Sequence, residues 1–143
     1  MTVNAEWQRI KDHIRQYRED PDAAHAWNPY GKVVTALLLT ATGRRSGRQR
    51  SLPLIYRKVG ADYVIVGSKG GAPDDPVWYK NLQANPDCEI QVGREHLTVR
   101  ARTAQGAERE ALWQQMVELL PQYAEYQART PRAIPVVVLE PRP

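Results

Sequence analysis

Apolar residues near the start of the chain recur in steps of three and four. Val3, Trp7, Ile10, Ile14 and Tyr17 form one stripe with Glu6, Arg9, Lys11, Asp12 and Arg15 between them, which predicts an amphipathic helix over residues 3–19. The stretch EDPDAAHAWNPYGK that follows holds two prolines and a glycine with no period, so it reads as a connector that ends the helix. From Lys32 the texture changes. VVTALLLT is a continuous apolar and β-branched run, ATGRRSGRQR is punctuated and basic, and SLPLIYR is apolar again, which predicts two strands flanking a basic hairpin loop.

Gly60 marks a turn, DYVIVG reads as a third strand, and SKGGAPDDP is a loop rich in glycine and proline. VWYKNLQANP then places Val77, Leu82 and aromatics at helical spacing, with Asp75 positioned to cap the helix and Pro76 suited to its first turn. Cys88, Ile90 and Val92 alternate with Glu89 and Gln91, and Leu97 and Val99 alternate with Thr98 and Arg100 around Gly93, the pattern of a hairpin with one wet face. A helix from about Ala107 to Leu120 carries Leu112, Met116 and Leu119, Pro121 interrupts it before QYAEYQAR, and IPVVVLE closes the chain as a buried strand. Strands outnumber helices and most are joined by tight turns. The expected class is therefore α+β, a mostly antiparallel barrel of about six strands with flanking helices, rather than a doubly wound parallel sheet.

Length adds one domain, 1–143, since a chain of 143 residues buries about two thirds of the surface it exposes unfolded. The single cysteine, Cys88, excludes an internal disulfide, and His13, His25 and His96 show no ligand spacing, so no structural metal is expected. MTVNAEWQRIKDH has neither an apolar signal core nor a cleavage pattern, and no stretch approaches the roughly 20 apolar residues of a spanning helix. The expected location is cytoplasmic, with residues 1–20 packed on the barrel in preference to lying on a membrane surface.

Net charge is only +4, but 15 of the 20 basic residues are arginine, whose guanidinium grips phosphate and carboxylate in a fork. That bias reads either as an anionic ligand or as nucleotide composition of the gene. Arg44, Arg45, Arg48 and Arg50 lie within seven positions, around Gly43, Ser46 and Gly47. This segment is either a phosphate or polycarboxylate cradle, its glycines turning backbone N–H groups inward, or a solvated basic hairpin. In GSKGGAPDDPVWYKN the Ser-Lys-Gly-Gly turn offers donors and close approach to a flat ring, against an exposed turn lysine and core-packing Trp78 and Tyr79. Tyr123 and Tyr126, three apart, project together from a helix as packing residues or as hydrogen-bonding phenols. Walker A and Rossmann glycine patterns are absent.

TATGRRSGRQRSLPL, VGSKGGAPDDPVWYKNLQANP and YAEYQARTPRAIPVVVLEP, in this order, resemble the deazaflavin-dependent nitroreductase family over roughly residues 30–141. The resemblance implies an FMN-binding split barrel-like fold, coenzyme F420 as cofactor, and hydride transfer to a small organic acceptor such as a quinone, enone or nitro compound. It places Arg45, Arg50 and Pro53, with Arg44 and Ser46 beside them, at the phosphate and oligoglutamate tail. It places Ser68, Lys69, Gly70 and Gly71 at the ring, with Ala72 and Trp78 along the same wall, and Tyr123 and Tyr126 on the acceptor side. Ser68 or Tyr123 would then hydrogen-bond the acceptor, with a proton from Tyr126 or water. Arg45 stands where lysine is frequent, and Leu120 where some nitroimidazole-reducing members carry a tyrosine, a departure that bears on nitroimidazole reduction. The rivals are an FMN-binding split-barrel oxidoreductase and a non-catalytic deazaflavin carrier. A nucleic-acid-binding barrel is disfavoured because no aromatics interleave the basic loop. Monomer and homodimer are both left open, and a lipid quinone acceptor would suit a peripheral membrane contact.

Overall fold

A computed structural model describes residues 3–27 and 34–142. Helix α1 spans Val3–Glu19, as its stripe requires, and from residue 8 onward its inward face carries His13, Ile14 and Tyr17. Tyr17 is fully buried; its hydroxyl donates to the Ala36 carbonyl at 2.8 Å and accepts from the Gly93 amide at 2.9 Å. Burial pushes that phenol up to about 12, so it stays a neutral donor that ties the helix to two parts of the sheet.

The expected connector holds structure of its own. Asp20 accepts from the Ala23 amide and Pro21 opens a short helix α2, Pro21–His25, followed by the two-residue strand β1, Ala26–Trp27. An acidic cap followed by proline is a helix start, and the two prolines of the stretch masked it. Residues 28–33, where the connector was expected to pass into the first long strand, lie outside the described residues.

The strands that follow are β2 Val34–Thr42, β3 Gln49–Ile55, β4 Arg57–Val59, β5 Asp62–Val66, β6 Asp87–Val92, β7 Glu95–Thr103 and β8 Val136–Pro141. Every pairing among them is antiparallel, in the order β3-β2-β6-β7-β8-β5-β4, with β1 added on β2. Only Tyr56 separates β3 from β4, so one bent strand supplies both ends of the sheet and curls it into a split β-barrel. At the bend the Tyr56 amide donates to Thr35, whose hydroxyl returns a bond to the Tyr56 carbonyl. Counting β3 and β4 together and β1 as an extension gives the six strands expected from the sequence.

Leu37, Leu39, Ile65, Ile90, Val99, Val137 and Leu139 fill the barrel. Val64, Val66, Val136 and Val138 point outward, under helices α4 (Gly106–Leu119) and α5 (Gln122–Ala128). Leu38 points outward beneath Tyr17 of α1 and Ala24 of α2. Strands covered on both faces read as continuous apolar runs, which is why VVTALLLT and IPVVVLE show no alternation.

Candidate functional site

The basic segment is the turn between β2 and β3. Arg44, Arg45, Ser46, Arg48 and Arg50 are all exposed. Much of its backbone is already hydrogen-bonded. The Gly43 amide donates to Arg48 O at 2.8 Å, Gly47 to Gly43 O at 2.9 Å, and Arg48 to the Ser46 hydroxyl at 3.2 Å. The Arg44 amide goes to Asn81 Oδ1 at 3.0 Å. Four amides are thus used within the turn or on its anchor, and its four guanidiniums project from a braced backbone.

Asn81 belongs to helix α3, Val77–Ala84, and is 5% exposed; it also receives Arg44 Nη1 at 3.3 Å. Sequence reading did not single it out, because a polar residue in mid-helix is ordinarily solvated. Pro53 lies further along β3, buried opposite Leu38. It costs no second ladder there because β3 pairs only with β2.

Between β5 and α3 runs the Ser-Lys-Gly-Gly corner. Lys69, Gly70 and Gly71 form a 3-10 turn in which all three have positive φ, at 46°, 62° and 82°. A lysine in the left-handed region costs about 1–2 kcal/mol, so the surroundings must hold it there. Ser68 is half-buried and its hydroxyl does not cap the turn, while the amides of Gly71 and Ala72 close back on the carbonyls of Ser68 and Lys69. Trp78, half-buried on the next helix, packs on the barrel core with its ring edge-on to Tyr79.

Asp75 does not cap α3. The cap position is taken by Pro76, whose carbonyl receives Tyr79 and Lys80, and Asp75 faces Arg132 at 2.8 Å instead. A basic partner 57 positions away outcompeted the local cap, which no local rule could have anticipated.

Helix α5 closes over the corner. The two are in direct backbone contact: a Cβ on Gly71 would lie 2.6 Å from the Tyr126 carbonyl and 3.1 Å from its Cα. Tyr126 is half-buried, with the Arg129 guanidinium 5.6 Å from its ring centroid. Tyr123 is 5% exposed and sits in the second core, its ring between Trp113 and Tyr126 at 6.4 Å from each. The structure therefore brings the Lys69–Gly71 turn against α5, with Gly71 on the Tyr126 backbone, and buries Tyr123 in the core behind that helix. Arg129 and Arg132 went unremarked in the sequence because each looks like one more arginine in an arginine-rich chain.

Two shallow depressions, about 290 and 340 Å³, lie beside α3, β7 and β8 and share Tyr79, Gln83 and Thr103. Neither touches the corner or the basic turn, and the Tyr79 and Thr103 hydroxyls between them satisfy one another at 2.8 Å.

Comparison with known proteins agrees with the motifs. The model of the F420H(2)-dependent quinone reductase family matches residues 7–141, beginning inside α1, earlier than the resemblance drawn from residues 30–141. A curated F420H(2)-dependent quinone reductase of Mycobacterium tuberculosis is 46% identical over 110 residues, 75% of this chain and 74% of that protein. A solved F420-H2 dependent reductase superposes with a TM-score of 0.69 at 44% identity, over 73% of this chain and 93% of that one. A structure described as a domain-swapped dimer gives 0.72 at 36% identity, over 96% and 100%.

Proposed function

Because this chain belongs to the F420H(2)-dependent quinone reductase family, we propose that it reduces a quinone at the corner where the Ser-Lys-Gly-Gly turn meets α5. It is an F420H2-dependent oxidoreductase, and coenzyme F420 is its cofactor. When bound, the deazaflavin supplies a hydride in a two-electron transfer. The observation that carries the proposal is the contact between Gly71 and the Tyr126 backbone, which joins the segment assigned to the cofactor to the helix that carries the tyrosines assigned to the acceptor.

The residues present fit a polyanionic, flat-ringed carrier. Exposed Arg44, Arg45, Arg48 and Arg50 present side-chain charge, with the turn braced by its own hydrogen bonds and by Asn81. Guanidiniums on flexible stems suit a tail of several carboxylates. Lys69 adds an ammonium at the ring end, and the glycines of the corner allow a flat group to approach. Pro53 and Trp78 hold their strand and helix in place around these groups.

Ser68 and Tyr126 are the hydrogen-bonding groups for the acceptor. A hydroxyl donor 2.7–3.1 Å from an oxygen that gains charge stabilises it, and a positioned donor contributes a factor of about 100 or more. Tyr123, buried against Trp113, acts by fixing the Tyr126 ring. A membrane role is not needed for this reading.

Titrating the protein separately with F420 and with FMN, followed by ring fluorescence, and then supplying F420H2 with a naphthoquinone tests the assignment. Binding of F420 in preference to FMN, with quinone-dependent loss of F420H2, is expected. Tight binding without turnover would leave a carrier protein. Ser68→Ala and Tyr126→Phe should lower kcat at least tenfold with cofactor affinity held within about threefold; equal loss of both parameters contradicts their roles.

A further inference from the structure

Arg132 reaches from the segment between α5 and β8 into the loop that carries the corner. Its Nε donates to Ala72 O at 2.8 Å, Nη1 to Gly67 O at 3.2 Å and to Asp75 Oδ1 at 2.8 Å, and Nη2 to Ser68 O at 2.8 Å. One guanidinium, only 14% exposed, thus gathers three carbonyls and a carboxylate. A planar, five-donor fork can span such a set, whereas an ammonium cannot.

Arg132 is itself held from α5. Gln127 donates to the Arg132 carbonyl at 2.7 Å and accepts the Ile134 amide at 2.9 Å. Arg109 of α4 donates to the Ile134 carbonyl at 2.8 Å. A continuous series of hydrogen bonds therefore runs from α4 and α5, through residues 132–134, to residues 67–75.

The peptide unit is planar and trans, so each N–H points opposite to its C=O. Turning the Gly67 and Ser68 carbonyls onto Arg132 turns the Ser68 and Lys69 amides to the other side of the loop. The same contacts hold Lys69 in its costly positive φ.

We propose that Arg132 is a positioning residue that aims the Ser68 and Lys69 amides at an oxygen of the bound carrier, and that Gln127 links this aim to the α5 wall. The proposal rests on the functional reading above. Its selectivity is for a carrier presenting a carbonyl or anionic oxygen to these amides, and it leaves the acceptor's own affinity to the Ser68 hydroxyl and Tyr126.

The test compares wild-type protein with Arg132→Lys, Arg132→Ala and Gln127→Ala, each verified as folded by circular dichroism. In cofactor-free protein, amide hydrogen exchange over residues 67–75 should rise in Arg132→Lys while the β7–β8 ladder is unchanged. The dissociation constant for F420 should rise about tenfold or more and kcat fall about 100-fold, the scale of a 1 Å misplacement, with the KM for a naphthoquinone within about twofold. Millimolar guanidinium should partly restore F420 binding to Arg132→Ala, and methylammonium should not. Gln127→Ala should shift the same quantities in the same direction by less, and serves if Arg132→Lys does not fold. Wild-type protein that fails to bind F420 overturns the functional reading and the binding role together. Wild-type binding with unchanged exchange and affinity in Arg132→Lys overturns the role of Arg132 alone.

Discussion

Replacing Gly71 by alanine isolates the contact between the corner and α5. The new Cβ would lie 2.6 Å from the Tyr126 carbonyl oxygen, 3.1 Å from Tyr126 Cα and 3.1 Å from Arg129 Cβ. Two of these three atoms are backbone of a helix packed on the second core, so they cannot rotate away as a side-chain tip would. Two costs add. A φ of 82° is uphill for any L side chain by about 1–2 kcal/mol, and overpacking of this kind costs about 1–3 kcal/mol. The expected destabilisation is about 2–5 kcal/mol, a large share of the roughly 5–15 kcal/mol that a domain possesses. Gly70→Ala is the matched control. Its φ is 62° but nothing lies within 4 Å of the added carbon, so only the dihedral cost of about 1–2 kcal/mol applies. Urea unfolding at a slope of about 2 kcal/mol/M would separate the two variants by roughly 0.5–1.5 M in midpoint. The F420 dissociation constant should rise with Gly71→Ala beyond any effect of Gly70→Ala. If the two alanines destabilise equally within about 0.5 kcal/mol, the corner and α5 are not in firm contact, and the shared wall on which the proposed site depends is refuted.

The high-pH behaviour follows from three buried acids, Cys88, Tyr17 and Tyr56, the last also pushed up by burial. Burial, with Asp87 and Glu89 adding to it, pushes the Cys88 thiol from 9.0 up to about 12, and burial raises the Tyr17 phenol from 10.0 to about 12. Between about pH 9 and 12 the unfolded chain gives up protons that the fold retains, so the unfolded state binds fewer protons and stability falls as pH rises. Urea midpoints should decline across pH 9–11 and decline less steeply in Cys88→Ala; a flat profile in the wild type would contradict the burial. On the basic turn, Arg45→Ala and Arg50→Ala should each weaken F420 binding about tenfold, the scale of one charged hydrogen bond. Exposed charges are screened, so that difference should shrink as salt is raised from 50 to about 500 mM, as read by fluorescence titration; a salt-independent loss would place these side chains elsewhere than on an anion.

The barrel was legible wherever one face of an element is wet or an apolar run is unbroken. Val34–Thr42, the hairpin of Asp87–Val92 with Glu95–Thr103, and Val136–Pro141 fall within a residue or two of their expected places. What escaped was set by long-range partners. Tyr56 divides an expected single strand because the chain must leave β2 and join β5. Asp75 looks like a cap but is claimed by Arg132 across the fold. In the basic turn the glycine pattern does not tell which amides stay open, since Gly43 and Gly47 shape a turn in which their own amides bond internally. Tyr123 and Tyr126 are equivalent by spacing, and only the position of Trp113 makes one of them core.

In the proposed site the two segments divide the work of recognition. Arg45 and Arg50 are exposed and extend from a turn braced behind them by Asn81, so they can follow a tail of variable length and shape, and their attraction is long-range and salt-sensitive. The corner is the opposite case: three left-handed residues fixed by one guanidinium and abutted by α5. Flexible charge supplies affinity with little discrimination, whereas a rigid donor set rejects any ligand that leaves its groups unpaired, because unpaired buried donors are costly. On the proposed assignment, discrimination between a deazaflavin and other anionic carriers rests with residues 67–72 and their Arg132 support. A substitution there should change which ring is accepted, while a substitution in the arginine turn should change how tightly any polyanion is held, as F420 and FMN titrations of the same variants would read.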